Sequence, residues 1–172
     1  MTLQMRTGVA LVDLYLARGR VRAELNMQGY SRLSDLFNNA PGEFLGGTLR
    51  MAAAMHSDSG HPEITIERRE LVVRMRDIRV VRPIEEHPSV ATTSAWRERT
   101  PVRVVMDLDD WQVTGDVFLV DKIPWLDFMT ATRQRFISVS NASVRFVGVP
   151  DALECTFLLV NGARVSTLYE AP

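Results

Sequence analysis

The 172-residue chain is 46% hydrophobic and 24% charged, with a formal net charge of −1, an ordinary globular composition. Near-neutrality excludes the overall basic field that non-specific binding to nucleic acid or anionic membrane draws on, and the single cysteine, Cys155, excludes an intramolecular disulfide framework. No apolar run reaches the ~20 residues of a membrane-spanning helix, and Met1–Arg6 is polar with no signal-peptide core behind it; the expected compartment is the cytoplasm, with no membrane partner.

In chain order, the first element is a strand over Val9–Ala17, with Val12, Leu14 and Leu16 on one face at the period of two that marks strands. Arg18-Gly19 turns the chain into a second strand, with Val21, Ala23, Leu25 and Met27 inward and Arg20, Arg22 and Glu24 outward. A short helix follows over Ser31–Asn39. Ser31 is its expected N-cap, because a hydroxyl can accept from a first-turn amide. Leu33, Leu36 and Phe37 form its apolar stripe, and Pro41-Gly42 ends it. A third strand starts near Phe44, a loop covers Ser57–Pro62, a fourth strand covers Glu63–Arg68, and a last strand covers Leu71–Ile78.

Val81–Thr100 holds Pro83, Pro88 and a Thr-Thr-Ser run, and reads as a linker with a short ordered piece around Trp96. A second series then begins. Val102, Val104, Met106 and Leu108 mark a strand, Asp109-Asp110 a turn, and Val113, Gly115, Val117 and Leu119 a second strand. Pro124 opens a helix lined by Trp125, Phe128 and Met129, where its missing N–H costs nothing. Phe136–Val139 and Val144–Val147 follow as strand. Leu153–Val160 and Arg164–Leu168 are expected to close as a hairpin about Asn161-Gly162, a strong two-residue turn signal.

The two series align when the chain is shifted by 92 positions without a gap: Val12, Leu16, Val21 and Leu25 fall on Val104, Leu108, Val113 and Val117, and Phe44-Leu45 falls on Phe136-Ile137. The expectation is a mainly β (α+β) chain of two tandem β-β-α-β-β-β units, each a small barrel or bent sheet, related by pseudo-symmetry. Residues 1–80 form the first unit, 81–100 the linker and 101–172 the second unit. This order of elements resembles Sm-like and SH3-like barrels.

The heptapeptide Arg32-Leu33-Ser34-Asp35-Leu36-Phe37-Asn38, preceded by Val21 and followed by Phe44-Leu45, resembles the R-L-S-D-x-[LF]-N helix of an uncharacterised family of small bacterial β-rich domains. The second series keeps Asp127, Phe136-Ile137 and Val160-Asn161 of that pattern. The resemblance implies a tandem duplication of such a domain and a bacterial source; it implies no activity.

Few residues point to chemistry. His56 and His61 flank Asp58 in a polar loop, but no further ligand pair sits nearby; His87 lies in the linker. Asp107, Asp109 and Asp110 sit at a turn, where carboxylates cap local amides. Cys155 has no histidine within its unit to act as a base. Ser31, Ser34, Ser138 and Ser140 lack a nucleophile-elbow setting. Gly42, Gly46 and Gly47 follow a helix, whereas phosphate-cradling glycines precede one. Arg133 and Arg135 before Asn141-Ala142-Ser143 resemble the PilZ motif of cyclic-dinucleotide receptors, but Phe146 stands where that motif carries Gly, and the arginine spacing differs. No metal, no cofactor and no catalytic residue is expected, and the chain is read as no enzyme.

Two surfaces remain. Arg68, Arg74 and Arg76 are candidate anion-binding residues in the basic stretch Glu67–Arg82, with Arg74 and Arg76 expected on one strand face. Val105, Phe118 and Val120 are candidate interface residues, since they stand where the first series has Asp13 and polar side chains. An apolar outer sheet face needs a cover. The leading expectation is therefore a non-catalytic interaction or scaffold protein within a homo- or hetero-oligomer. The alternative is a regulatory module binding a nucleotide or RNA on the arginine-rich strand; without interleaved aromatic platforms, nucleic acid is the less favoured partner.

Overall fold

The computed structural model describes residues 8–17, 19–54, 64–84, 99–120, 123–131 and 134–171. The chain divides into two compact units, Met1–Ser89 and Val90–Pro172. It is mainly β, with antiparallel strands and, among the described residues, two short α-helices.

In the first unit, β1 (Val9–Leu16) and β2 (Gly19–Asn26) form a hairpin, followed by α1 (Leu33–Asn39), β3 (Phe44–Ala54), β4 (Ile64–Arg74) and, after a 3-10 turn at Met75–Asp77, β5 (Val80–Pro83). The ladders run β5-β1-β2-β3-β4. Alternation along β1 and β2 places Val12, Leu14, Ala23 and Leu25 on one face, all fully buried, where Leu36 and Phe37 of α1 are also fully buried. Ser31 is not the cap of α1: the capping residue is Arg32, which makes no side-chain capping hydrogen bond.

In the second unit, β6 (Arg99–Leu108) and β7 (Trp111–Val120) pair, followed by α2 (Trp125–Ala131), β8 (Phe136–Phe146), β9 (Leu153–Asn161), a 3-10 turn at Gly162–Arg164 and β10 (Thr167–Glu170). The ladders run β10-β6-β7-β8-β9. Val104, Met106, Leu108, Val113 and Val117 are buried. Trp111, also buried, meets Phe146 edge-on, with ring centroids 5.0 Å apart. Phe128 N–H donates to the Pro124 carbonyl at 2.9 Å, so Pro124 does open α2.

Neither set of strands closes into a barrel: among the described residues no ladder joins β4 to β5 or β9 to β10. The expected last strand over 71–78 is also corrected. β4 absorbs its first half. The chain then curls so that Met75 and Ile78, three apart, are both buried, the spacing of a 3-10 turn and not of a strand. Strand β5 therefore falls at Val80–Pro83, inside the span expected as linker, and β6 has already begun at Arg99. The rest of that linker, Trp96 and His87 included, lies outside the described residues.

The expected hairpin about Asn161-Gly162 does not form. The favoured two-residue hairpin turns need positive φ at their first central position, whereas Asn161 has φ −69°, and its side chain accepts from the Ala163 amide at 3.1 Å. The chain thereby carries β10 to β6 instead of β9. The two expected strand pieces at 136–139 and 144–147 are one strand, β8.

Each unit has one register break beside its second strand. It lies between Arg22 and Ala23 in the β2–β3 ladder and between Thr114 and Asp116 in the β7–β8 ladder. A glycine stands at the second break, and another stands opposite Leu25, two pairs beyond the first; nothing larger fits at either. A Cβ on Gly47 would stand 2.5 Å from the Glu24 carbonyl oxygen, and one on Gly115 would stand 2.4 Å from Val139 Cγ1.

Candidate functional site

The first unit concentrates charge on the face of β1 and β2 opposite Val12 and Leu14. The β1–β2 register sets Asp13 against Arg22 and Tyr15 against Arg20, and the β1–β5 register sets Asp13 against Arg82. Asp13 is fully buried. Arg22 grips it with both ends of its fork, Nε donating to Oδ1 at 2.8 Å and Nη2 to Oδ2 at 3.1 Å. Arg82 Nη2 lies 3.1 Å from Oδ2, and Arg20 Nη1 lies 3.8 Å from the same oxygen. The three arginine side chains are 18–30% exposed. A carboxylate can hold this depth only because it is paired.

Tyr15, also buried, completes the cluster; burial raises its hydroxyl pKa above the ordinary 10.0, against the opposing pull of the Arg82 charge. Beside it, Glu24 pairs with Arg50 at the β2–β3 register break. Arg82 Nε is buried without a hydrogen-bond partner among the described residues.

The expected anion-binding residues are not brought together in this way. Arg74 is the last residue of β4 and lies over the Phe44 ring, 4.9 Å from its centroid. Arg76 is exposed on the 3-10 turn, so the two do not share a strand face. The curl that buries Met75 takes Arg76 out of the alternation. Arg68 is exposed and falls within the β3–β4 register shift, between Thr65 and Arg69.

The candidate interface residues lie on the outer face of β6 and β7. Val105 is half-buried and pairs with Thr114 and Tyr169; Phe118 is 44% exposed and pairs with Pro101. The apolar face is not continuous. Between the two residues, Arg103 Nη1 donates to Asp116 Oδ1 at 3.2 Å, and Asn141 Nδ2 donates to Asp116 Oδ2 at 2.9 Å. These bonds, Asn141's first, hold Asp116 below the ordinary carboxylate pKa. Val120 ends β7, and its side chain lies outside the described residues.

Asp107 accepts from Thr167 and from Gln112, the latter at 2.8 Å, and these bonds lower its pKa. Asp109 and Asp110 make the exposed turn, Asp109 with φ 51°. Cys155 is half-buried, with its thiol donating to the Ala142 carbonyl at 3.5 Å. His56, Asp58 and His61 lie outside the described residues. Among the described residues no three His, Cys, Asp or Glu side chains come together as a metal site, and no helix is long and apolar enough to cross a membrane.

The Asp13 cluster is the feature that reading the sequence missed. Its local half was legible: the pairing of β1 with β2, strands adjacent in sequence, sets Asp13 opposite Arg22. The other half, Arg82, reaches Asp13 only because β5 returns to β1. Comparison of the chain with protein-family models, with curated proteins and with solved structures finds no match.

Proposed function

We propose that the chain is a non-catalytic interaction protein of two tandem, duplicated β-β-α-β-β-β units, and that its second unit docks a protein partner, in the first instance another copy of the chain. The observation that supports docking is the outer face of β6, β7 and β10. Phe118 and Tyr169 are 44% and 48% exposed there, with Val105 half-buried between β7 and β10. Aromatic side chains of this kind, rimmed by a polar pair such as Arg103–Asp116, are the usual composition of protein interfaces.

The duplication draws support from detail finer than the order of strands. The register breaks follow Arg22 and Thr114, ninety-two residues apart, which is the offset at which the apolar patterns align. At the same offset, Glu24 and Asp116 each hold a partner at the break, Arg50 in one case and Asn141 in the other. Membership of the uncharacterised bacterial family with the R-L-S-D-x-[LF]-N helix belongs to this reading, since Leu36 and Phe37 of that helix are its core residues. So does a cytoplasmic location.

The docking reading is tested by sedimentation velocity over a wide concentration range. The wild-type chain is expected to assemble, and Phe118→Asp with Tyr169→Asp to leave it monomeric with an unchanged circular dichroism spectrum. A wild-type chain that stays monomeric throughout and shows the same mass as the double variant would remove the support.

A further inference from the structure

We propose that Asn161 is a site of self-modification, a deamidation driven by the Gly162 backbone nitrogen, and that the fold of the second unit keeps it closed until the corner between β9 and β10 opens. Asn161 is the one asparagine followed by glycine; Asn26, Asn38, Asn39 and Asn141 are followed by Met, Asn, Ala and Ala. A following glycine has no Cβ to hinder attack on the asparagine side chain, and its backbone turns most freely toward it. The chemistry needs no partner but water. The Gly162 nitrogen gives up its proton to solvent and bonds to Asn161 Cγ. The Cγ–Nδ2 bond breaks, and the nitrogen leaves as ammonia after taking up a proton. Water then opens the succinimide ring at either carbonyl, giving aspartate or isoaspartate.

The corner opposes the first step in several ways. Ring closure requires the Gly162 nitrogen to eclipse Cβ about the Cα–C bond of Asn161, and tetrahedral geometry at Cα places that arrangement outside the α and β regions. Asn161 instead has φ −69° and ψ 106°, an extended conformation that turns the nitrogen away from Cβ. The Gly162 N–H donates to the Arg135 carbonyl at 2.8 Å, so the proton that must leave is held. The Ala163 amide donates to Asn161 Oδ1 at 3.1 Å and fixes the carboxamide. Asn161 is only 3% exposed, which keeps solvent base and water away. Turning ψ of Asn161 into the reactive range would pull Gly162 off Arg135 at the end of the β8–β9 ladder, where Asn161 pairs with Phe136. The reaction therefore runs through the opened corner. Its products do not fit back: isoaspartate lengthens the main chain by a methylene inside that pairing, and aspartate puts a carboxylate where the side chain is buried. Deamidation at Asn161 is thus a one-way mark of opening.

Ageing the full chain at mildly alkaline pH tests the site, in buffer and in guanidinium chloride above the unfolding midpoint, with peptide mass mapping and an isoaspartate assay as readouts. Asn161 is expected to be modified at least about tenfold faster in denaturant than in buffer, because only the opened corner reacts, and faster there than any other asparagine. Gly162→Ala is expected to slow the rate in denaturant about tenfold. In the folded unit its Cβ would come no nearer than 3.5 Å, to Ile137 Cδ1, so this variant keeps the fold. Returned to buffer, modified wild type is expected to unfold at a lower denaturant midpoint than unaged chain, while Gly162→Ala aged for the same time recovers its own unaged midpoint. The proposal is overturned if Asn161 deamidates as fast in buffer as in denaturant, if Gly162→Ala leaves the rate in denaturant unchanged, or if modified chain refolds to the midpoint of unmodified chain.

Discussion

The two units use similar ladders to display opposite chemistry. On the outer face of the first unit, β1 carries Asp13 against Arg22 and Arg82; on that of the second, β6 carries Val105 against Thr114 and Tyr169. Next along the strands, Tyr15 faces Arg20 and Val80, whereas Asp107 faces Gln112 and Thr167 and accepts hydrogen bonds from both. The strands pair through their backbones in either case, so the ladder tolerates a buried ion cluster or a mixed apolar and hydrogen-bonded surface. What differs is how each face fails.

The largest expected effect comes from opening the ion cluster. Asp13→Ala strips the carboxylate from three guanidiniums and should cost about 3–5 kcal/mol, read as a lower urea midpoint by circular dichroism. Val105→Ala should cost roughly 1 kcal/mol; equal losses would break the comparison. Giving the first face the second's residues, by Asp13→Val, Arg20→Gln, Arg22→Thr and Arg82→Tyr together, should return stability to within about 2 kcal/mol of wild type, because uncharged replacement of a whole buried ion cluster is often neutral. A loss as large as that of Asp13→Ala would show that the charges, not the ladders, hold these strands.

A second contrast lies in the helices. Phe37 of α1 is fully buried, while Trp125, Phe128 and Met129 of α2 are only half-buried. Phe37→Ala should cost about 3–5 kcal/mol, and Met129→Ala roughly 1 kcal/mol, in the same unfolding experiment. The two tightly packed glycines give a smaller effect. Gly47→Ala and Gly115→Ala should each cost about 1–3 kcal/mol. Gly47→Ala should be the worse of the two, because its new methyl meets a backbone carbonyl, whereas that of Gly115→Ala first meets a valine side chain.

The smallest effects are in pH, and they run in opposite directions. Asp107 and Asp116 have lowered pKa values, set chiefly by their bonds from Thr167 and Asn141. Their contribution is present above the unfolded carboxylate range and is lost as pH falls through the folded values, below about pH 4. Tyr15 is raised by burial. Its contribution is whole below the unfolded value of about 10 and is lost as pH climbs through the folded one. Trp96, Trp111 and Trp125 all belong to the second unit, so tryptophan fluorescence should report the acid limb. Tyr15→Phe should weaken the alkaline limb seen by circular dichroism and leave the acid limb unchanged; movement of both would contradict the assignment.

Much of the fold was legible. Period-two runs marked β1, β2, β6 and β7, and Leu36 and Phe37 marked the buried side of α1, because alternation and helical spacing are local consequences of backbone geometry. The 3-10 turns were not legible. Leu71, Val73 and Met75 continue an apparent alternation past the end of β4, and only the return of β5 to β1 shows that the chain has curled. Asn161-Gly162 carried a turn signal, but the backbone used it to redirect the chain to β6. At the site, the contrast between Asp13 and Val105 was visible in the sequence, while the meaning of Asp13 was not.

The amino-acid sequence alone determined the strand periodicity, the two helices and which face of each hairpin is apolar, since these follow from residue spacing within a few peptide units. Tertiary structure alone decided that the sheets stay open, that Arg82 joins Arg22 at Asp13, and that Arg74 and Arg76 part company. Those outcomes depend on which strands pair across long stretches of chain, and pairing partners are chosen by the free energy of the whole unit rather than by any local run of side chains.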